Sequence, residues 1–236
     1  MQQLTLDISL HDGFRFESFY THRENVDVVN LLGQIALNQQ YGQFFFWGAK
    51  QVGKSHLLQS CCQRASVAGY ITAYLPLKVL SQHGTYCMKG LSQTAIIAID
   101  DIDSVLGKPI WEEALFHLIN ETRQNGQTLL MSASDSPRLL PCKLPDLASR
   151  LLWGASYQIH ELSEQDKFLA LQYRARQRGF EIPDQVLNYL HKHYPSELEV
   201  LIHLLNRMDK KSLSTGRKIT IPLIKETLRK NYLDNR

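Results

Sequence analysis

The chain lacks any long uninterrupted apolar segment, and this absence limits where the protein can work. No run in its 236 residues approaches the roughly 18 apolar residues that a membrane-spanning helix needs. The first residues, Met1–Asp7, lack the basic start of a secretory signal peptide. Both absences predict a cytoplasmic protein with no membrane partner.

The chain also has only a small excess of positive over negative charge and few cysteines. The formal net charge is +3, which is too small to argue by itself for strong binding to nucleic acid. The four cysteines fit no spacing of a metal or redox site, since Cys61 and Cys62 are adjacent and the other two are isolated. Cys61 and Cys62 fall on an apolar helical stripe, so we expect them in the core.

What the chain does contain is a complete phosphate-loop pattern, G-x-x-x-x-G-K-[ST], at Gly48–Ser55. A short aromatic-rich run, Gln43–Trp47, precedes the loop, and a segment of helical periodicity follows it. The order strand, glycine loop, helix is the context in which this pattern binds nucleotide phosphates, and an ordinary glycine turn is the alternative. The residues predicted to contact the nucleotide are Gly48, Ala49, Lys50, Gln51, Val52, Gly53, Lys54, Ser55 and His56.

Each fixed position of the loop has a chemical role. Gly48 and Gly53 allow a turn tight enough for successive backbone N–H groups to face phosphate oxygens. The helix that begins near Lys54 adds its positive end to the same place. Lys54 can reach the β- and γ-phosphates, and the hydroxyl of Ser55 is placed to bind Mg²⁺.

Two acidic residues follow the most apolar run of the chain. Ala95–Ile99 is continuously apolar, as expected for a parallel strand that is covered on both faces, and it is followed by Asp100 and Asp101. This is a Walker B pattern, in which Asp100 would hold Mg²⁺ through water and Asp101 would orient an attacking water. Capping of the next helix is the alternative role for these acids.

Two further segments can line the same site. Ser134 and Asp135 follow the predicted strand Thr128–Ala133, so they can sense the γ-phosphate or form a polar turn. Phe19 belongs to an aromatic run, Phe14–Phe19, which can line a base pocket or pack in the core. The sequence leaves both alternatives open in each case.

The order of the patterns predicts an α/β domain followed by a helical one. Up to Glu161, about five strand-length runs alternate with helical segments, which predicts a parallel sheet sandwiched by helices. From Leu162 onward only helical patterns occur, and Ser163–Asp166 is a capping-box start. An α/β phosphate-loop domain with a small all-α lid is the architecture of AAA+ P-loop NTPases. The predicted strands are 43–47, 70–75, 95–99, 128–133 and 157–160.

Several motifs spread over nearly the whole chain point to one family. The most diagnostic is Ser149–Gly154, with the pattern Ser-Arg-Leu-x-Trp-Gly. The phosphate loop, Ile96–Asp101 with Asp-Asp in place of the commoner Asp-Glu, Arg176–Phe180 and Lys218–Pro222 also match. Together they resemble the Hda family of DnaA-related AAA+ regulators of bacterial replication initiation. DnaA itself carries a DNA-binding helix-turn-helix domain after its lid, and we expect this chain to lack it because nothing follows the lid segment.

The resemblance implies that Arg150 is an arginine finger. In the family this residue acts in trans, where it completes a neighbouring subunit's ATP site by stabilising charge on the transferring phosphoryl group. The implied partner is ATP-bound DnaA, whose ATP hydrolysis the finger would stimulate. A surface arginine that pairs with a carboxylate is the alternative.

The resemblance also implies binding to the DNA polymerase III beta sliding clamp. Gln3–Ile8 resembles the family's N-terminal clamp-binding hexapeptide, in which apolar anchors enter a pocket and a polar residue hydrogen-bonds. Asp7 replaces the family's usual proline, so the peptide is less preorganised. The same alternating segment by itself fits a strand. The residues assigned to the clamp are Gln3, Leu4, Leu6 and Ile8.

A bound nucleoside diphosphate, ADP in the familiar case, is the implied ligand together with Mg²⁺, and the sequence does not reveal the base. The AAA+ sensor 2 arginine is missing, since Ser196 occupies its place. Because this cation would support the γ-phosphate, we expect a diphosphate to bind more tightly than ATP. The expected domains are a clamp-binding segment (1–12), an AAA+ domain (13–161) and a lid (162–236).

Four functions fit these patterns to different degrees. The favoured one is a negative regulator of replication initiation, which reaches the nucleoid and replisome through the clamp and contacts DNA only indirectly. The second is an autonomous AAA+ ATPase, acting as a helicase loader or as an initiator paralogue. A duplex-binding initiator and a purely structural nucleotide-binding adaptor are the others. The sequence allows a homo-oligomer but does not determine it.

Overall fold

The computed structural model describes residues 14–38, 40–193, 197, 200–202, 204–208, 220–222 and 224. They divide into two compact units, one ending at Glu161 and one beginning at Leu162. The predicted clamp-binding segment and Ser196 lie outside the described residues.

The first unit is built on a parallel sheet of five strands in the order β2-β3-β4-β1-β5. This confirms the predicted α/β class. Strand β2 ends on Pro76, which is aligned with Asp100 of β3. A proline is tolerated there because β2 is an edge strand, where the missing N–H breaks no second ladder. The strands are β1 (Gln43–Trp47), β2 (Thr72–Pro76), β3 (Ile96–Asp100), β4 (Thr128–Ala133) and β5 (Ala155–Gln158).

Alternate residues of the strands face two separate apolar layers. Phe45 packs in one layer with residues of the later helices, whereas Phe44 and Phe46 pack in the other with the first two helices. Cys61 and Cys62 are fully buried in this second layer, which confirms the core position predicted for them. The helices of this unit are α1 (Val26–Ala36), α2 (Lys54–Val67), α3 (Leu77–Leu80), α4 (Pro109–Gln124) and α5 (Pro145–Leu151).

Helix α5 is a short element that periodicity did not predict. It begins with Pro145, which suits the first position of a helix because no intrahelical N–H bond is needed there. Leu147 and Leu151 bury its inner face in the first apolar layer. The predicted arginine finger, Arg150, lies on the same short helix, three residues after the buried Leu147, and is itself half-buried.

One buried carboxylate connects the start of α4 to the segment that leads into α5. Glu112 is 1% exposed and accepts hydrogen bonds from the backbone N–H groups of Gly107 at 2.6 Å, Lys143 at 3.0 Å and Leu144 at 2.7 Å. Burial alone would raise the pKa of Glu112, but the three N–H donors outweigh it, and the pKa is lowered.

The second unit is helical in its described part, as predicted. Ser163 caps α6 (Glu164–Gln177) by accepting a hydrogen bond from the Asp166 N–H at 3.1 Å. Helix α7 (Asp184–His193) follows. Apolar residues from these helices and from 201–208 form one core. No helix within the described ranges is long and apolar enough to cross a membrane.

Replacement of Glu112 by Gln tests the connection that its carboxylate makes between α4 and the segment leading into α5. We expect the free energy of unfolding to fall by about 1–3 kcal/mol, because an amide cannot accept all three N–H groups. Since the folded pKa is lowered, the wild-type contribution is present above the ordinary glutamate pKa and is lost as the pH falls through the folded value. Urea unfolding at several pH values measures both effects. Glu113→Gln is the control, because the neighbouring Glu113 side chain is 71% exposed, and an equal loss in both variants would contradict the assignment.

Candidate nucleotide-binding site

The phosphate loop connects the carboxyl end of β1 to the amino end of α2, as the sequence predicts. Gly53 precedes the helix with φ 99°, and a Cβ placed there would lie 2.6 Å from Cε2 of Phe19. Only glycine meets both conditions without strain. The first intrahelical bond runs from the Leu57 N–H to the Gly53 carbonyl, so the N–H groups before Leu57 are not used within the helix and can face an anion.

Lys54 is held over the loop by the backbone. Its Nζ donates to the carbonyl oxygens of Gly48 and Ala49, both at 2.8 Å. Burial lowers the pKa of the ammonium, and the carboxylates of Asp101 and Asp100 oppose that shift. The cation is thus positioned between the loop and the acidic residues Asp100 and Asp101 at the end of β3, which is where a phosphate group needs a positive partner.

Asp100 lies at the end of β3 and is 2% exposed. Its Oδ2 accepts a hydrogen bond from the Tyr74 hydroxyl at 2.6 Å, and its Oδ1 accepts one from the Ser132 hydroxyl. The Gln59 amide donates to the Tyr74 oxygen at 3.1 Å. Sequence reasoning missed Tyr74 and Ser132. Strand order could have indicated them, because β2 and β4 flank β3 and end at the same edge.

Asp101 adopts the left-handed conformation, with φ 54°, which is uncommon for a residue with a side chain. Its N–H donates to the Ser132 hydroxyl at 3.0 Å, and its side chain does not cap the short helix Ile102–Ser104. Burial and the nearby Asp100 and Asp103 carboxylates raise the pKa of Asp101, while Lys54 opposes them.

Ser134 and Asp135 differ in their surroundings. The Ser134 hydroxyl and N–H both donate to Oδ2 of Asp103, so this serine takes part in a turn contact that the sequence did not reveal. Asp135 is exposed and adds negative charge near Lys54. The structure thus brings Asp135 toward the phosphate loop and ties Ser134 to Asp103.

The aromatic run packs beside the phosphate loop. Phe19 is partly buried against the second apolar layer, and its ring lies 5.3 Å from that of His56. Phe14 lies 4.9 Å from the same imidazole, and Nε2 of His56 is 2.9 Å from the Arg15 carbonyl oxygen. These contacts pack the aromatic segment against one side of the phosphate loop.

Arg150 is not brought to the phosphate loop. The Gln43 side chain donates to the carbonyl oxygens of Arg150 at 2.7 Å and Trp153 at 2.8 Å. Gln43 begins β1, whereas Gly48 follows the other end of that strand. The Gln43–Arg150 contact and the phosphate loop are therefore about 16 Å apart along the strand, at roughly 3.3 Å per residue. Arg150 therefore lies at the amino edge of the sheet.

Aromatic rings hold the Arg150 side chain. Its guanidinium carbon lies 3.7 Å from the centre of the Trp153 ring and 5.7 Å from that of Phe116. Arg123 also lies over the indole, at 4.2 Å. A cavity of about 500 Å³ adjoins Trp153, and it too lies at this amino edge and not at the phosphate loop.

The glycine after Trp153 is required by the sheet. Gly154 has φ 77°, and a Cβ there would lie 2.0 Å from the Gln43 carbonyl oxygen. Any side chain would therefore displace the start of β1. In the Trp153-Gly154 pair, the indole ring stacks on the Arg150 guanidinium, and the glycine lets its backbone approach that of Gln43 closely.

Family comparisons agree with this arrangement. The model of the bacterial DnaA ATPase domain matches residues 10–158, and the model of the Hda lid domain matches residues 164–228. The chain belongs to the Hda type of DnaA-related AAA+ proteins. The resemblance drawn from the sequence motifs is thereby confirmed for both the nucleotide-binding domain and the lid of this Hda-type chain.

Solved structures show the same fold at low sequence identity. Domain III of DnaA from Thermotoga maritima is 20% identical, with a TM-score of 0.76 over 93% of this chain and 97% of that one. AMPPCP-bound DnaA from Aquifex aeolicus is 20% identical, with a TM-score of 0.71 over 89% and 70%. The Thermotoga maritima RuvB Holliday junction branch migration motor is 18% identical, with a TM-score of 0.62 over 91% and 73%. Because a motor shares the fold, the fold alone does not select the function.

The residues present fit a nucleoside diphosphate. Lys54 and the start of α2 supply a cation and backbone donors for two phosphates. For Mg²⁺, the Ser55 hydroxyl would be a direct ligand, and Asp100 would act through water. Among the described residues, no group of three or more His, Cys, Asp and Glu side chains could hold a metal by itself. Any Mg²⁺ at this site would thus take its remaining ligands from the phosphates and from water.

Replacement of Lys54 by Ala tests the site. We expect the affinity for ADP to fall at least about tenfold, because a charge-assisted hydrogen bond to the β-phosphate is lost. Titration calorimetry measures the affinity. Lys89→Ala is the control, since Lys89 is an exposed lysine that lies over the Tyr86 ring, outside the phosphate loop. Unchanged ADP affinity in the Lys54 variant would contradict the site.

Proposed function

We propose that this Hda-type protein is a negative regulator of replication initiation that activates ATP hydrolysis by DnaA. In this function the chain binds ADP or another nucleoside diphosphate with Mg²⁺, attaches to the DNA polymerase III beta sliding clamp, and presents Arg150 to ATP-bound DnaA. The position of Arg150, at the edge of the sheet opposite to its own phosphate loop, is the observation that carries the proposal.

The geometry favours action on a neighbouring molecule. Arg150 is about 16 Å of strand length away from its own phosphate loop, at roughly 3.3 Å per residue, which is beyond the reach of an arginine side chain. A cation that stabilises transferring phosphoryl charge must lie within hydrogen-bonding distance of that phosphate. The ATP on which Arg150 acts must therefore belong to a partner, and in this family the partner is DnaA.

The surroundings of Arg150 also favour a phosphate ligand. Within the described part of the chain, no carboxylate forms an ion pair with its guanidinium, and its buried Nε has no hydrogen-bond partner. Stacking on Trp153 fixes the plane of the group but leaves its charge unneutralised. A surface arginine paired with a carboxylate, the alternative, is not what these contacts show.

The clamp attachment rests on the N-terminal hexapeptide. Residues 1–12 are proposed as the clamp-binding segment, 13–161 as the AAA+ domain and 162–236 as the lid. Phe14 and Phe19, just after the peptide, contact His56 of α2. In this proposal DNA is reached only through the clamp.

A second function is favoured by Asp101. Its raised pKa, left-handed backbone and position near Lys54 suit a carboxylate that accepts a proton from an attacking water. The chain would then be an ATPase in its own right, acting as a helicase loader or as an initiator paralogue. ATP turnover by the purified protein, abolished by Asp101→Asn, would favour this function over the regulator.

Replacement of Gln3, Leu4 and Leu6 by Ala tests the clamp attachment. We expect clamp binding to be lost while the midpoint of thermal unfolding stays almost unchanged, because a ligand peptide lies outside the core. Surface plasmon resonance on immobilised clamp and a thermal melt give the two readouts. A large loss of stability would show instead that these residues form a strand of the fold.

Replacement of Arg150 by Ala tests the regulatory mechanism. We measure how much the protein stimulates DnaA ATP hydrolysis with and without DNA-loaded clamp. We expect this stimulation to fall at least about 10²-fold, because the finger acts on transition-state charge. Binding of ADP and of the clamp should remain. Arg150→Lys should restore little, since a point charge lacks the planar fork, and the exposed Arg23→Ala is the control. Normal stimulation by the Arg150→Ala variant would refute the mechanism.

A further inference from the structure

The Gln43 side chain connects the amino end of β1 to the turn that carries Arg150. Its Nε2 donates to the carbonyl oxygen of Arg150 at 2.7 Å and to that of Trp153 at 2.8 Å. Carbonyl oxygens only accept hydrogen bonds, so the NH₂ end of the amide must face them. One side chain thus binds the backbone of the turn 150–153 at both of its ends.

Strand alternation explains why Gln43 reaches this turn. Phe45, two residues further along β1, packs in the apolar layer that also contains Leu147 and Leu151 of α5. Residues two apart in a strand share a face of the sheet, so Gln43 faces α5 as well. Helix α5 ends at Leu151, and the carbonyl groups of a last helical turn have no N–H partner further along the helix. The half-buried amide of Gln43 supplies donors at that point.

The two carbonyl groups belong to the two members of a stacked pair. The guanidinium carbon of Arg150 lies 3.7 Å from the centre of the Trp153 ring, and the buried Nε of Arg150 has no hydrogen-bond partner. The Trp153 N–H donates to the Arg150 carbonyl at 3.1 Å, which closes the turn locally. Gln43 attaches the backbone of both residues to β1 at once.

We propose that Gln43 is a positioning residue for the arginine finger, because it holds the backbone of Arg150 and of the ring on which Arg150 stacks. The inference rests on the proposed function and names a further residue on which that function depends. A cavity of about 500 Å³ borders Gln43 and Trp153, so packing alone does not enclose this turn. A misplacement of about 1 Å can cost about 10²-fold in rate, so a small movement of the turn would be felt at the partner's ATP.

The test is Gln43→Met, which keeps the approximate length of the side chain and removes both donors. DnaA ATP hydrolysis is measured with DNA-loaded clamp at increasing concentrations of the protein. We expect the maximal stimulated rate to fall at least about fivefold, because two hydrogen bonds no longer favour the stacked position. The concentration that gives half of the maximal stimulation should stay within about twofold, since the finger acts on the transition state and not on ground-state binding.

Gln127 provides a matched control. Its Nε2 also donates to two backbone carbonyl oxygens, those of Leu91 and Thr94, and it is half-buried like Gln43. Gln127→Met should lower the midpoint of thermal unfolding by an amount similar to Gln43→Met, but should stimulate DnaA as the wild type does. All rates are measured well below the lowest midpoint, so that loss of folded protein does not contribute.

A second variant separates reach from polarity. Gln43→Asn keeps an amide at this position but is one methylene shorter, so it cannot donate to both carbonyl oxygens, and its maximal rate should also fall. Wild-type rates in both Gln43 variants, together with a loss of stimulation in Arg150→Ala, would overturn the inference and leave the proposed function intact.

Two other results would also count against the positioning role. An equal loss of rate in Gln127→Met would show that loosening of the fold is the cause, and a higher half-maximal concentration without a lower maximal rate would show that Gln43 serves binding. If the wild-type protein does not stimulate DnaA at all, the proposed function is refuted and the inference with it.

Discussion

The common direction of the five strands is the constraint on which the rest of the structure depends. Parallel strands place all their carboxyl ends at one edge of a sheet, so the phosphate loop after β1 and the acidic residues after β3 meet there. The amino ends meet at the other edge, where Gln43 binds the segment that carries Arg150. The shared strand direction thus places the candidate nucleotide site at one edge of the sheet and Arg150 at the other.

The two edges hold their charges in different ways. At the carboxyl edge, Lys54 faces several carboxylates and is partly neutralised by them. At the amino edge, Arg150 and Arg123 share the face of one indole, which orients a guanidinium without cancelling its charge.

Hydroxyl groups donate directly to the buried carboxylate of Asp100. The Tyr74 and Ser132 hydroxyls each donate to one of its oxygens, and the Lys54 ammonium supplies nearby positive charge. This arrangement connects three adjacent strands, β2, β3 and β4, with helix α2 through Gln59.

The sequence by itself determined the class of fold, the phosphate loop and the family, because glycine spacing, strand-length apolar runs and the Ser-Arg-Leu-x-Trp-Gly pattern are local properties of the chain. It also located Asp100, Asp101 and Arg150. Only the tertiary structure decided what surrounds them. Tyr74 and Asp100 are brought together by pairing between strands, and Arg150 and Phe116 by packing of α5 on α4. Contacts between residues this far apart in the chain depend on strand order and helix packing, which no local pattern encodes.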